Sequence, residues 1–383
     1  MLDHPIADEP HHLRQVLALE AYARACFANP QCSKQAVRAA FGLSAAGHDD
    51  MLLAAMLQLA GGRFAEGKAM LLSRGLASAD NISAAYAVAA SVFKYFNAGM
   101  PIRQLAEFGI DLALQWFQRY PRSLAAARAL LDLLLYFGCA NDAERILAQV
   151  GVEPLAEEAA ELQIYRQRLC DYRDQYRLSI VLITYQRPEM LRHTLASLRG
   201  ALTTADAQII IGVNDDWPQT RQVIEQAGIS QVFYNQGNSG INLYKQIFLQ
   251  AKGEYLIEID DDVQQFPPGF DRQIIACLEA RPDLGLVGHW PVGFVNPRSG
   301  EHYPAAESAH AQCEIAGLPC GLGPVAGVCA GLRRKDFLTI NGFARATLSK
   351  YSGEEPQLIR KLALYGKQSG VIFDQGLMVN VLD

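Results

Sequence analysis

Residues 253–263 have the sequence GEYLIEIDDDV. The first seven of these residues are rich in apolar side chains, which predicts a short buried β-strand. Three consecutive carboxylates, Asp260–Asp262, follow this strand directly. Carboxylates this close together repel one another strongly where the dielectric is low. The triplet therefore needs a compensating partner, and we expect the site of the protein to be here.

A divalent cation is the partner that these carboxylates indicate. If the chain stays extended beyond the strand, Asp260 and Asp262 point to the same side, because side chains alternate along a strand. Two neighbouring carboxylates suit a hard cation such as Mg²⁺ or Mn²⁺. The alternative interpretation of Asp260–Asp262 is an acidic surface loop.

The composition indicates a globular protein of about two domains. The chain has 383 residues, of which 50% are hydrophobic and 19% are charged, so it can bury sizeable cores. The net charge is -6, and no basic block occurs, so we expect no nucleic-acid partner. The eight cysteines form no CxxC pair, which favours reduced thiols over a disulfide framework or a zinc site.

The expected location of the protein is cytoplasmic. The N-terminus lacks the basic and apolar regions of a signal peptide. One charge-free run, residues 315–332, contains five glycines and two prolines and is therefore interpreted as loop and short strand. We accordingly expect no transmembrane segment.

The sequence predicts an all-α domain over residues 1–170. Ala- and Leu-rich helical stretches alternate with glycine-containing breakers at 61–62, 97–99 and 138, which recur about every 38 residues. This pattern loosely resembles tetratricopeptide-type repeats, which would stack as helical hairpins and offer a face to a partner. The alternative is an irregular helical bundle.

Residues 171–383 alternate between strand and helix patterns, which predicts an α/β domain. Strands are expected at 178–183, 208–213 and 232–234, and a helix at 238–251. Polar clusters follow three of the predicted strands, and ligands of α/β sheets bind at the carboxyl ends of strands. The clusters are Thr184–Arg187, Asn214–Asp216 and Asp260–Asp262.

Six motifs in one order make this domain resemble a family-2-type glycosyltransferase of the GT-A fold. They are TYQRP at 184–188, NDDW at 214–217, NSG at 238–240 followed by YKQ at 244–246, the GEYL strand with its DxD motif at 253–262, GVCAGLRRKDF at 327–337 followed by NGF at 341–343, and GEE at 353–355. Three of them depart from the family pattern: Asp216-Trp217 replaces glycine and serine, Lys245-Gln246 replaces arginine and asparagine, and Glu355 replaces aspartate.

The resemblance implies a GT-A-like (Rossmann-like), mixed and mainly parallel sheet flanked by helices, preceded here by the all-α helical-hairpin domain. It also implies transfer of a sugar from a nucleotide-sugar donor, UDP- or dTDP-linked, to a glycan or protein acceptor. The helical domain would recruit that acceptor. A Mn²⁺ or Mg²⁺ cofactor would assist departure of the nucleoside diphosphate.

Donor and metal residues follow from the matched motifs. Asp262 and Asp260 would hold the metal, and Asp260 or Asp261 could instead contact the ribose or sugar. Asp215 would bind the base, its alternative being a helix N-cap. The nucleotide pocket would be lined by Thr184, Tyr185 and Arg187, and Lys245 would face the diphosphate or base. For Arg187 the alternative is a surface charge, and for Lys245 a solvated helix face.

Glu355 is the expected general base, and Glu354 is expected to bind the acceptor. The resemblance implies inversion at the anomeric carbon, which needs one base to deprotonate the acceptor hydroxyl. The alternative is that both acids stabilise a helix N-terminus.

Two other functions remain open from the sequence. A nucleotidyltransferase also uses carboxylates, metal and an α/β sheet, but residues 184–187 are not the glycine-rich loop it would need. A non-catalytic helical-repeat scaffold with a degenerate sugar-nucleotide-binding domain is the other, and the altered residues at 216, 217 and 246 favour it.

Overall fold

The chain divides into two compact units between Ile164 and Tyr165. The computed structural model describes residues 66, 69, 102–170, 172–214, 217–240, 242–291, 310–343, 354–373 and 376–379. The predicted breakers at 61–62 and 97–99 lie outside these residues. The predicted domain boundary after residue 170 stays a prediction.

The described part of the first unit is helical, and the all-α domain over residues 1–170 stays a prediction. It contains α1 (Ile102–Arg119), α2 (Leu124–Tyr136), α3 (Ala140–Val150), a 3₁₀ turn (Glu153–Leu155) and the start of α4 (Ala156–Cys170). Gly138 has a φ of 71° and turns the chain between α2 and α3, so the helical hairpin expected there is present. Arg128 forms a 2.9 Å ion pair with the buried Glu158. A repeat architecture stays a prediction.

The second unit alternates strands and helices around a large sheet. The strands are β1 (Tyr176–Thr184), β2 (Ala207–Val213), β3 (Gln231–Tyr234), β4 (Gly253–Ile259), β5 (Val263–Gln265), β6 (Leu284–His289), β7 (Ala311–Ile315), β8 (Leu318–Leu322), β9 (Cys329–Arg333), β10 (Gln368–Ile372) and β11 (Met378–Val379). The helices are α5 (Pro188–Ala201), α6 (Pro218–Gln226), α7 (Asn242–Ile247), α8 (Phe270–Ala280), α9 (Arg334–Thr339) and α10 (Glu354–Leu364).

Within the described residues, the main sheet has nine strands in the order β3-β2-β1-β4-β9-β6-β10-β8-β7. Strands β3, β2, β1 and β4 pair in parallel, as do β6 and β10. Strand β9 runs antiparallel between β4 and β6, and the β7–β8 hairpin extends one edge. The predicted mixed, mainly parallel sheet flanked by helices is therefore confirmed.

Both faces of the sheet are buried, which explains why its strands are almost continuously apolar. Leu178, Ile180 and Leu182 on β1 belong to one core cluster, and Val181 belongs to the other. This alternation follows from the two-residue period of a strand. Each aliphatic side chain buried in this way contributes about 1.5–3 kcal/mol.

The helix expected over 238–251 is shorter than predicted, because polar side chains on β1 and β2 bind the backbone amides that follow it. Helix α7 covers only Asn242–Ile247. The Gln208 side-chain oxygen accepts from the Lys252 amide at 2.9 Å, and the Ser179 hydroxyl accepts from the Gly253 amide at 2.7 Å. A Cβ on Gly253 would lie 2.3 Å from the Ser179 nitrogen, so only glycine fits there.

In the part of the chain that the structure describes, no helix is both long and apolar enough to span a membrane.

A buried aspartate fastens α8 to the loop that follows α5. Asp271 is fully buried in the first turn of α8. Its carboxylate accepts hydrogen bonds from the Thr203 amide, the Thr203 hydroxyl (3.0 Å) and the Thr204 amide (2.7 Å). These donors would lose their partner without it, and an unsatisfied buried donor is costly.

We expect Asp271→Ala to lower the free energy of unfolding by about 2–4 kcal/mol, because two backbone amides lose a charged acceptor. Asp271→Asn should lose less, since one oxygen remains to accept. Urea unfolding monitored by circular dichroism measures both. The matched control is Asp283→Ala, which removes a carboxylate that pairs with Arg281 near the surface and should cost much less. Equal losses for Asp271→Ala and Asp283→Ala would contradict this role of Asp271.

Candidate active site

The polar clusters predicted to meet at one edge of the sheet do so for β1 and β4. Strand β1 ends at Thr184 and its parallel neighbour β4 ends at Ile259, with Leu182 opposite Ile259. The acid triplet follows β4, which confirms the predicted strand. However, the chain turns at Asp261 and Asp262, so the extended conformation that would align Asp260 with Asp262 stops at Ile259.

Asp261 is the buried member of the triplet, and protein groups surround its carboxylate. The Thr184 hydroxyl donates to Asp261 Oδ2 at 2.6 Å, and the Tyr185 backbone amide also hydrogen-bonds to this carboxylate. Arg187 lies 3.5 Å from Asp261 Oδ1. Burial raises the pKa of Asp261, and these three contacts oppose that shift. Asp261 therefore joins the loop after β1 to the loop after β4.

Asp262 combines a raised pKa with an unsatisfied oxygen. Its Oδ2 lies 3.6 Å from Arg187, whereas its Oδ1 is buried and has no hydrogen-bond partner. Burial, followed by repulsion from Asp261, raises the pKa of Asp262 to about 6, and Arg187 opposes the shift. Arg187 thus lies near two carboxylates, while 45% of its side chain is exposed, so its role in the nucleotide pocket stays a prediction.

Helix α5 holds the acid triplet through the Thr194 hydroxyl and the residue after β5 through the Ser197 hydroxyl. The Thr194 hydroxyl lies 2.9 Å from the Asp261 carbonyl and 3.0 Å from the Val263 carbonyl. The Ser197 hydroxyl accepts from the Phe266 amide at 3.1 Å. The sequence analysis missed both residues. Their position among leucines on the buried face of α5 was the available indication, because buried polar groups need partners.

Asn214 organises the end of β2. It is buried, its side-chain nitrogen donates to the Gly240 carbonyl at 3.0 Å, and its side-chain oxygen accepts from the Ser239 amide and hydroxyl. This network brings the NSG segment to the carboxyl edge beside β1, since the Asn214 amide also donates to the Thr184 carbonyl. Asp215, the predicted base-binding residue, lies outside the described residues.

The remaining predicted residues come from two helices. Lys245 lies on α7, and Glu354 is the first residue of α10. Glu355 is the next residue, so both acids occupy the first turn, and the helix-dipole interpretation stays open. The Glu355 carboxylate lies directly beside Gly327, where an added Cβ would be only 1.4 Å from its Oε1.

The segment containing Gly327 also touches the acid triplet. The Asp260 amide donates to the Val328 carbonyl at 3.1 Å, so the residue after Gly327 is bonded to the first aspartate. Glu355 and Asp260 therefore approach the same two-residue segment from different elements. The sequence analysis did not predict Gly327 as a site residue.

The acid triplet fits a divalent cation. Asp262 Oδ1 is a buried anionic oxygen without a partner, and carboxylates are ligands that Mg²⁺ and Mn²⁺ favour. The described residues contain no cluster of three or more His, Cys, Asp or Glu side chains arranged to hold a metal.

Residues 179–340 match the family model for glycosyl transferase family 2. This segment of the chain is therefore similar to glycosyl transferase family 2. The matched segment contains β1, the acid triplet, Gly327 and β9, which are the elements that build most of the candidate site. The predicted resemblance is thereby confirmed. No protein of curated function matches the chain.

Several solved structures of glycosyltransferases are distantly similar to the chain. Mannosyltransferase PcManGT from Pyrobaculum calidifontis, in complex with GDP-Man and Mn²⁺, is 15% identical over 63% of this chain and 68% of its own, with a TM-score of 0.38. Glucosyl-3-phosphoglycerate synthase from Mycobacterium tuberculosis, in complex with phosphoglyceric acid, is 16% identical over 54% of this chain and 73% of its own, with a TM-score of 0.39. S. aureus TarS is 14% identical over 53% of this chain and 60% of its own, with a TM-score of 0.40.

The raised pKa of Asp262 predicts a pH-dependent effect of removing its charge. Because folding disfavours the ionised form, Asp262 reduces stability above its ordinary pKa, and the penalty is complete above about pH 6. Without metal, Asp262→Asn should therefore raise the melting temperature at pH 7.5 and raise it less at pH 5. Mn²⁺ should bind native protein more weakly at pH 5, because protons compete for the carboxylate.

Differential scanning fluorimetry measures the melting temperatures, and calorimetric titration measures Mn²⁺ binding. Asp283→Asn is the control. A hydrogen bond from Arg281 lowers the pKa of Asp283, so this substitution should lower the melting temperature at pH 7.5 instead of raising it. A stabilising effect of Asp262→Asn that is the same at both pH values would contradict the assignment.

Proposed function

We propose that the chain transfers a sugar from a nucleotide-sugar donor, UDP- or dTDP-linked, to a glycan or protein acceptor with inversion at the anomeric carbon. The observation that carries the proposal is the acid triplet at the carboxyl edge of β4, within the segment that matches family 2. Its Asp262 has a buried oxygen without a hydrogen-bond partner, and the negative charge of the triplet would repel a polyanionic donor. A cation bound there would give the oxygen a partner and would offset the repulsion of the donor.

Asp262 and Asp260 would hold Mn²⁺ or Mg²⁺. When bound, the cation would stabilise negative charge on the departing nucleoside diphosphate. Arg187 would balance the carboxylate charge from the other side, since it lies within 3.6 Å of both Asp261 and Asp262. Asp261, which is bonded to Thr184 and Tyr185, would hold these loops in place rather than contact the sugar.

The donor nucleotide would bind at the carboxyl ends of β1 and β2. The Tyr185 side chain is 39% exposed, so its ring is available to a nucleoside. Thr184 supports this loop through its bond to Asp261, and Arg187 can reach a phosphate while staying close to the acids. Asp215 would bind the base, and Lys245 would face the diphosphate or base.

Glu355 would act as the general base. It would take the proton from the acceptor hydroxyl while that oxygen forms a bond to the anomeric carbon and the bond from that carbon to the diphosphate oxygen breaks. The nucleoside diphosphate leaves with the electron pair of the broken bond. Glu354 would bind the acceptor. The link from Glu355 through Gly327 and Val328 to Asp260 supports this division of roles.

Two substitutions should separate donor binding from chemistry. In the native protein, Mn²⁺ with the correct sugar nucleotide should raise the melting temperature and support slow donor hydrolysis. Asp262→Asn should abolish both effects, because the cation loses a ligand. Glu355→Gln should keep the thermal shift but lower the rate of sugar transfer by about 10²–10⁴-fold, because the base is lost.

A panel of sugar nucleotides screened by fluorimetry, followed by detection of released nucleoside diphosphate, makes both measurements. Asp283→Asn serves as the control. Asp283 precedes the first residue of β6, whereas the acid triplet follows the last residue of β4. Turnover that needs no divalent cation, or that survives Asp262→Asn, would contradict the metal-dependent mechanism. Incorporation of a nucleotide instead of a sugar would favour the nucleotidyltransferase.

The helical unit is proposed to recruit the acceptor. If so, a chain lacking residues 1–164 should hydrolyse donor at the native rate but transfer sugar to acceptor poorly. Product formation with an acceptor library from cell extract, compared with hydrolysis alone, tests this prediction. Cooperative thermal unfolding of the shortened chain serves as the folding check. Loss of both activities in a chain that still unfolds cooperatively would count against recruitment.

A further inference from the structure

Gly327 faces the carboxyl group of the proposed base at a distance that leaves no room for a side chain. A Cβ on Gly327 would lie 1.4 Å from Glu355 Oε1, 2.4 Å from its Cδ and 2.9 Å from its Cγ. Carbon and oxygen atoms that are not bonded do not approach so closely. The terminal half of the Glu355 side chain therefore occupies the space that any other residue at position 327 would fill.

The backbone of Gly327 does not itself require glycine. Its φ is not among the positive values of this chain, which occur at glycines such as Gly342 (51°) and Gly366 (72°). An alanine could adopt the same backbone conformation. Space for Glu355 is therefore the reason that the structure provides for a glycine at this position.

Gly327 lies next to a residue that is hydrogen-bonded to the acid triplet. Gly327 precedes Val328, whose carbonyl accepts from the Asp260 amide at 3.1 Å, and β9 begins at the next residue, Cys329. The 327–328 segment is therefore fixed to the acid triplet on one side and touches Glu355 on the other. The Glu355 carboxylate therefore lies against a segment that is hydrogen-bonded to the acid triplet.

We propose that Gly327 is a positioning residue that makes room for Glu355. The pair is matched in size: the missing side chain at 327 accommodates a carboxylate carried on two methylene groups. The inference rests on the proposed role of Glu355 as the base for sugar transfer. It adds that a glycine distant in sequence determines where the base sits.

Gly327→Ala should displace the carboxylate by more than 1 Å, and a displacement of that size can lower a rate by about 10²-fold. We expect kcat for transfer to fall by about this factor. Donor binding, measured as the thermal shift with Mn²⁺ and sugar nucleotide, should stay at the native value, because the acid triplet is untouched. A role confined to folding would not produce this split.

A shorter acid should rescue the variant. Glu355→Asp withdraws the carboxylate by one methylene and should lower activity in the native background. In the Gly327→Ala background it frees the space that the methyl group needs, so the double variant should be at least tenfold more active than Gly327→Ala. Native kcat in Gly327→Ala, or a double variant no better than Gly327→Ala, would overturn the proposal.

Gly200→Ala is the matched control, because a Cβ at this position on α5 meets nothing within 4 Å. It should leave kcat and the donor-induced thermal shift unchanged. If Gly200→Ala lowers kcat as much as Gly327→Ala, the effect at 327 is not a matter of space beside Glu355, and the proposal is overturned.

A double-mutant cycle of melting temperatures tests the contact between Gly327 and Glu355 independently of turnover. Gly327→Ala should lower the melting temperature, and adding Glu355→Ala should restore most of that loss, because residues in contact couple non-additively. If native protein turns over no donor but the cycle shows this coupling, the proposed transferase activity fails while the match stands. Additive melting temperatures would overturn the match itself, whatever the activity.

Discussion

The structure of the second unit depends on compensating the carboxylates that follow a buried strand. Asp261 is taken out of water, which by itself opposes ionisation, and its neighbour Asp262 adds repulsion. At the end of β1, the Thr184 hydroxyl and the Arg187 guanidinium lie close to the Asp261 carboxylate and stabilise its charge. From α5, the Thr194 hydroxyl donates to the Asp261 backbone carbonyl. Compensation is incomplete at Asp262, whose buried oxygen remains without a partner. The site is thus most strained where its chemistry is proposed to occur.

Much of this arrangement follows from local patterns in the sequence. The apolar runs that form β1 and β4 identify buried strands, and the polar clusters after them indicate the edge of the sheet where the candidate site is proposed. These inferences succeed because a strand buried on both faces needs a continuous apolar run, which the sequence shows. They also succeed because the carboxyl ends of adjacent parallel strands lie side by side. Glu355 was identified from a motif, and its place beside Gly327 required the structure.

Other features depend on contacts between residues far apart in the chain. The early end of α7 comes from Gln208 and Ser179, which lie on neighbouring strands and capture the amides of Lys252 and Gly253. Helical periodicity alone contains no information about these bonds. The turn at Asp261 likewise depends on Thr194, 67 residues earlier. Sequence patterns specify which elements form, whereas tertiary hydrogen bonds decide where several of them end.

The order of strands has a consequence for synthesis of the protein on the ribosome. Strand β9 must enter between β4 and β6, and β10, near the end of the chain, must pair beside β6 before the sheet is complete. Helix α10, which carries Glu355, precedes β10 and packs against it and β6. A nascent chain that has emerged only as far as the acid triplet therefore possesses its charged loop but lacks the partner acid. The proposed centre is complete only after residues 354–372 have left the exit tunnel, so a chain made only as far as the acid triplet carries the charge of the site without its proposed base.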